Sequence, residues 1–197
     1  MKRQWILDFC NEILSRGLDV SWQLPLGTRC EVVDDEVADL LQRSGGWSLN
    51  FAPESGSERV RERVKKQMSE ESLMSAVQSA IKHKLNVTSF FILGFPEDEP
   101  FDMKETVKLV KKLARAGVDD VAVGFFFPIP GTPLWSQLED VGRVGMTQDT
   151  ILAPLFVHDR WMTKERNFCD NMSARKLTYW KYRVVFAFYL RAILLNP

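Results

Sequence analysis

Apolar positions alternate between a helical and a strand period through the first two thirds of the chain. Ile6, Phe9, Ile13 and Leu14 fall at helical spacing, with Gly17 placed to close the helix. Leu18 to Leu24 alternates apolar and polar residues as a strand does. Asp34 is placed to cap a helix carrying Val37, Leu40 and Leu41, which Gly45-Gly46 would end, and a second strand is expected over 47–52. A charged helix should start near Glu58, and Ser69 should cap another with Leu73, Val77, Ala80 and Ile81 on one face. The third strand, 87–93, is apolar enough to be buried on both faces. Asp102 with Glu105 resembles a capping box for a helix bearing Val107, Val110 and Leu113, which Gly117 ends before a fourth strand over 121–127. Strands alternating with helices in this way predict parallel βα units, as an open doubly wound sheet or as a closed or partial barrel.

In either architecture ligands gather at the carboxyl ends of the strands, so three loops carry the candidate chemistry. The second strand runs into Pro53-Glu54-Ser55-Gly56-Ser57, where a carboxylate suits a ribose diol and Ser57 with the following N–H groups suits an anion. Equally, Ser57 would simply cap the helix and Glu54 be solvated. The third strand runs into Gly94-Phe95-Pro96-Glu97, where Gly94 permits close approach to the backbone and Ile92 offers an apolar wall for an adenine ring. Taken alone, that segment is a turn leading to an exposed helix. The fourth runs into Pro128-Ile129-Pro130-Gly131-Thr132-Pro133, whose prolines hold a rigid edge that either lines a ligand or ends a sheet.

Together and in order, Glu54-Ser55-Gly56-Ser57 with Arg59-Val60, then Phe91-Ile92-Leu93-Gly94-Phe95-Pro96, then Pro130-Gly131-Thr132-Pro133-Leu134 resemble the radical S-adenosylmethionine (SAM) superfamily. The likeness is narrower to the branch that often carries a cobalamin-binding domain upstream, and it runs from about Met1 to about Trp135. It implies a partial (β/α) barrel of parallel strands over 1–140, with its N-terminal units missing, and a C-terminal helical extension over 141–197. It also implies SAM binding by Glu54, Ser55, Gly56, Ser57, Ile92, Gly94, Glu97 and Pro128, with Lys65 or Lys66 on the cofactor carboxylate. Phe90 stands where the family motif G-x-I-x-G-x-x-E has its first glycine.

Family chemistry further requires a C-x-x-x-C-x-x-C loop for a 4Fe-4S cluster, and Cys10, Cys30 and Cys169 lie too far apart to form one. Cys10 reads as a buried structural thiol, and one thiolate at Cys30 cannot hold a cluster. His83 and His158 have no partner at ligand spacing. No metal ligand and no catalytic residue is therefore assigned. The cluster loop and at least one βα unit are expected ahead of Met1, so the chain reads as a fragment of a radical SAM enzyme acting on a small-molecule, hydrophobic substrate. Two other readings stand beside it: a degenerate, non-catalytic nucleoside-binding or interaction module, and a phosphate-binding barrel enzyme using Ser57.

Charge changes the picture at one end. The 197 residues carry 26 Lys+Arg and 26 Asp+Glu, a zero balance that argues against a nucleic-acid partner. Residues 160–197 hold eight basic and two acidic residues, a surplus of six, leaving the remainder at minus six. The basic segment is also apolar, with Phe188-Tyr189-Leu190-Arg191 similar to a stretch after the barrel in some cobalamin-dependent radical enzymes with isoprenoid or tetrapyrrole substrates. It is too short a run for a membrane span, which leaves a helix docked on the barrel or a peripheral contact with an anionic membrane. An odd cysteine count and a start interrupted by Asp8, Asn11 and Glu12 fit a cytoplasmic protein with no signal peptide.

Overall fold

The computed structural model describes residues 2–152 and 158–195. Helix α1 (Arg3–Ser15) leads into strand β1 (Trp22–Thr28), a short 3-10 turn (Cys30–Val32), α2 (Asp35–Arg43) and β2 (Gly46–Glu54). Then follow α3 (Glu58–Arg63), α4 (Glu70–Lys82), β3 (Asn86–Leu93), α5 (Pro100–Ala116) and β4 (Asp120–Phe125). Helices α6 (Pro133–Asp140), α7 (Gln148–Leu152) and α8 (Ala174–Leu195) complete the described chain.

All strand pairs are parallel and the order across the sheet is β1-β2-β3-β4, the order of the sequence. A doubly wound sheet reverses its order at a switch point, whereas a barrel adds each strand beside the last, so this is a run of barrel units. The helices α1, α2, α4, α5 and α8 succeed one another over the outer face. Between them and the sheet lies the main core, built on Leu49, Phe51, Val87, Phe91, Leu93, Val121, Val123 and Phe125.

Local capping works as the sequence predicts at Asp34, whose carboxylate accepts from the Val37 N–H, and at Ser69, which accepts from the Ser72 N–H. Four expectations need correction. The first strand lies later than 18–24, because Leu18 to Ser21 lead up to β1 and the ladder to β2 begins at Trp22. That edge strand tolerates Pro25, which has no N–H to give a ladder. The third strand is buried on one face only: Val87, Ser89, Phe91 and Leu93 point to the helices, while Thr88, Phe90 and Ile92 on the concave face are half-buried. The capping box of α5 is Glu99 with Asp102, three residues ahead of the expected pair, since Pro100 already occupies the first helical turn. Finally, β4 ends at Phe125, and Phe126 and Phe127 belong to the loop.

A second, smaller core sits at the carboxyl ends of the strands. Val60 of α3, Phe95 and Phe126 of the loops and Leu138 of α6 bury together there, with Ile92, Leu134 and Phe168 against them. It holds the mouth loops as one packed layer above the sheet.

Candidate cofactor mouth

The β2 loop is bolted to the start of α5. Ser55 is 1% and Ser57 2% exposed, and both hydroxyls are used within the chain. The Ser55 hydroxyl accepts from the Ser57 N–H (3.1 Å), the Gly56 N–H donates to Thr106 Oγ1 (3.0 Å), and the Ser57 hydroxyl donates to Asp102 Oδ1 (2.6 Å). Gly56 is needed by close approach, because a Cβ there would lie 2.4 Å from the Glu105 carbonyl oxygen. Arg59 adds an ion pair to Asp102, and the Arg61 guanidinium donates to the Ser55 carbonyl (3.0 Å).

Asp102 is fully buried and accepts from Ser57, from Arg59 and from the Glu99 N–H (2.8 Å). Burial alone would raise its carboxyl, but Arg59, Ser57 and the Glu99 N–H outweigh burial and hold it below the usual range. The sequence marks Asp102 only as a helix start, because nothing local shows that it faces a loop 45 residues earlier.

Glu54 leaves this bolted loop in another direction. The β2–β3 register jumps between Phe51 and Glu54, and Glu54 has φ of 63°, a left-handed conformation that non-glycine residues seldom hold. Its carboxylate meets Lys66 Nζ at 3.0 Å. Lys65 is also left-handed, with φ of 56°, and its side chain is exposed with no ion pair among the described residues. Lys65 is the left-handed residue that closes α3, its N–H donating to the Glu62 carbonyl and the Lys66 N–H to the Arg61 carbonyl, so the unusual backbone at the mouth is that of Glu54.

Lys65 stands between two cavities. One, of about 530 Å³, lies at the ends of β3 and β4, walled by Ile92, Phe95, Phe126, Phe127 and Leu134, with Arg63 and Lys65 at its rim. The other, of about 270 Å³, lies at the ends of β1 and β2 and is lined by Gly27, Cys30, Phe51, Ala52 and Lys66 as well as Lys65. The first has the size and mostly apolar lining of a small-molecule site. Ile92 lines this cavity, as do Ile129, Thr132 and Pro133, while Pro128 is buried and is not among its lining residues.

The Gly94 turn is held from within. Gly94 has φ of 92°, and its N–H and that of Phe95 donate to the fully buried Asp98 carboxylate at 2.9 and 3.0 Å. Glu97, the acid singled out from the motif, instead points outward and pairs with Arg63 at 2.9 Å. Burial pushes the Asp98 carboxyl up to about 7, against the pull of those two N–H groups. Stability from this residue is thus greatest below the ordinary carboxylate value near 4 and falls as pH rises towards 7, by roughly 1.4 kcal/mol per unit. Asp98→Asn should flatten that decline, as read by thermal denaturation from pH 4 to 7; an unchanged slope would count against a protonated Asp98.

The C-terminal extension reaches this same turn. Cys169 donates its S–H to the Asp98 carbonyl (3.4 Å), the Asp170 N–H donates to the Pro96 carbonyl (2.8 Å), and Leu177 packs under Gly94. None of that was visible in the sequence, where the tail is remote from the loop.

A radical SAM superfamily pattern matches residues 6–110, more than half of the chain. The chain belongs to the radical SAM superfamily. An uncharacterized methyltransferase of Pyrococcus horikoshii is 30% identical over 135 residues, covering 68% of this chain and 28% of the relative. Cytidylyl-2-hydroxyethylphosphonate methyltransferase of Streptomyces wedmorensis is 37% identical over 93 residues, 46% of this chain and 17% of the relative. Among solved structures, the radical SAM enzyme coproporphyrinogen III oxidase of Escherichia coli matches with a TM-score of 0.55 at 16% identity, over 79% of this chain and 36% of that one. Methylornithine synthase matches with a TM-score of 0.50 at 15% identity, over 90% and 49%. The radical SAM barrel is thereby the fold of this chain, which spans less than a third of the length of these two curated relatives and 36% and 49% of the two solved chains.

Radical SAM membership implies SAM and a 4Fe-4S cluster as cofactors of the whole protein. The mouth fits the first: an apolar cavity has Lys65 at its rim, without an ion pair among the described residues, and the next residue, Lys66, is paired with Glu54. The thiols do not fit the second. Cys10, Cys30 and Cys169 are all buried and burial raises each of them, while cluster ligands are thiolates. Among the described residues no group of three His, Cys, Asp or Glu is placed to hold a metal ion.

Proposed function

We propose that these residues are the SAM-holding part of a larger radical SAM enzyme, whose cluster ligands come from polypeptide outside this sequence. The observation that carries the reading is the apolar cavity of about 530 Å³ at the ends of β3 and β4, with the exposed Lys65 at its rim making no ion pair among the described residues. In it, the Lys65 ammonium takes the cofactor carboxylate. Lys66 is the weaker choice, because it is already paired with Glu54. Glu54 takes the ribose hydroxyls, and Ile92 with its aromatic neighbours takes adenine and keeps water from it. Ser55, Gly56 and Ser57 serve by fixing the backbone from which Glu54 departs, and Gly94 and Asp98 serve by shaping the turn behind Ile92. Reductive cleavage of SAM at the cluster is the chemistry that the bound pair supplies in this superfamily.

Methyl transfer is the reaction class we assign to the parent protein, supported by two relatives named as methyltransferases. A cobalamin methyl carrier, if the parent uses one, belongs to a domain outside this chain, and free thiols fit a cytoplasmic setting. Binding is testable on the chain as it stands by titrating it with SAM in a calorimeter. Lys65→Ala should weaken binding about tenfold by removing a charge-assisted contact, and should leave the melting temperature unchanged. Lys66→Ala should weaken it less. Absence of SAM binding to the folded chain would sink the reading, and equal binding by the Lys65 variant would sink the assignment of Lys65.

A further inference from the structure

Helix α8 has two faces of different kinds. Leu177, Trp180, Val184 and Phe188 are buried, and they dock the helix on α5 and β4. The docking expected from the sequence accounts for that face alone. On the other side Tyr179, Tyr182, Phe186 and Leu190 follow one another at three- and four-residue steps, Ile193 and Leu194 lie three and four residues beyond Leu190, and all are open to solvent. Phe186, Ile193 and Leu194 are 67%, 66% and 67% exposed, so they form a contiguous apolar patch.

The charges on α8 itself have one sign. From Asn171 onward the chain has no acidic residue, and Arg175, Lys176 and Arg183 are exposed along α8. The solvent edge of α5 adds Lys104, Lys108, Lys111, Lys112 and Arg115. The acids nearby are already engaged: Glu105 with Lys108, Glu70 with Lys112, and Asp120 with the Tyr189 hydroxyl. Among the described residues Lys111, Arg175 and Lys176 have no acidic partner. Between α5 and α8 runs an open groove of about 1080 Å³, with Val107 and Lys111 on one wall and Tyr182, Phe186 and Leu190 on the other.

We propose that this face of α8, with the adjoining edge of α5, docks on an anionic lipid bilayer. Lys and Arg side chains meet lipid phosphates while the aromatic and aliphatic residues enter the boundary of headgroups and acyl chains. The exposed aliphatics favour lipid over nucleic acid, since Leu190, Ile193 and Leu194 neither stack on bases nor hydrogen-bond to them. Because its opposite face is packed on α5 and β4, α8 lies in the plane of the interface. No described helix is long and apolar enough to cross a membrane. Docking there would bring the enzyme alongside membrane-dissolved substrates. This surface is distinct from the mouth, so it stands or falls independently of SAM binding.

Co-sedimentation of the full chain with vesicles tests it, comparing an equal mixture of phosphatidylglycerol and phosphatidylcholine with phosphatidylcholine alone. Binding to the anionic vesicles should exceed that to neutral ones at least about tenfold at low salt, and should weaken in high salt. Phe186→Glu and the double change Lys111→Glu/Arg183→Glu should each lower binding roughly tenfold or more. These side chains are exposed, so both variants should keep the native far-UV circular dichroism and melting temperature, and Arg16→Glu on α1 should bind as the parent does. Equal binding to neutral vesicles, or undiminished binding by the two α8-face variants, overturns the proposal. So does a dimer that Phe186→Glu dissociates in a chain that ignores vesicles, which would assign the face to a second copy. Retention of RNA without vesicle binding overturns it likewise.

Discussion

Gly56→Ala is expected to destabilise the protein by roughly 3 kcal/mol, although only one methyl group is added. The new Cβ would lie 2.4 Å from the Glu105 carbonyl oxygen and 2.5 Å from the Glu105 carbonyl carbon and from Thr106 Cα. All three are backbone atoms inside α5, so no side-chain rotation relieves the overlap. Either the loop lifts from the helix, losing the Gly56–Thr106 and Ser57–Asp102 hydrogen bonds, or the helix moves within a packed core. Gly145→Ala, where nothing lies within 4 Å, should change stability by no more than about 0.5 kcal/mol. Urea denaturation of both variants checks this, and wild-type stability in Gly56→Ala would mean that the loop is not seated on α5. Because Glu54 leaves from this loop, the same variant should also lose SAM binding.

Asp102→Ala is expected to cost about 3 kcal/mol, through loss of the α5 capping box and of charge-assisted hydrogen bonds from Ser57 and Arg59. Arg59 is 41% exposed and can rehydrate, which keeps the loss below that of a fully buried pair. The pH dependence has a definite sign. A carboxyl held below its unfolded value contributes stability that is present above about pH 4 and lost as pH falls through its folded value. The gap between parent and variant should therefore be widest near neutrality and shrink in acid, as read by chemical denaturation at several pH values. A gap that widened in acid would contradict an ionised Asp102. Asp98, four residues earlier, slopes the other way, because it is desolvated without a cationic partner in contact.

These two aspartates show how one short stretch supports the mouth from beneath. Asp98, in the loop just before α5, closes the turn that follows β3, and Asp102, in the first turn of α5, seats the loop that follows β2. A rigid base of this kind lets Glu54 hold a left-handed backbone without the loop relaxing around it. From the other side, Cys169, Asp170 and Leu177 brace the Gly94 turn, so the tail is a structural part of the mouth as well as the carrier of a basic apolar surface.

Period and punctuation in the sequence determined the succession of βα units and the caps at Asp34 and Ser69, because each depends on residues within a turn or two of one another, and the order of three such local motifs pointed to the superfamily. They also placed the three loops at one end of a parallel sheet, since parallel strands leave all their carboxyl ends together. Tertiary structure alone decided what each polar residue does there. Neighbouring Ser55 and Glu54 differ by a register jump and a left-handed backbone, which send one hydroxyl into α5 and one carboxylate onto Lys66. Adjacent Glu97 and Asp98 differ by burial, and adjacent Lys65 and Lys66 by whether an acid is within reach. The contacts that distinguish Ser57, Asp98 and Gly94 come from residues 45 to 83 positions away. Separations of that order leave no periodicity to read, because direction and partner are set only when the helices close over the sheet.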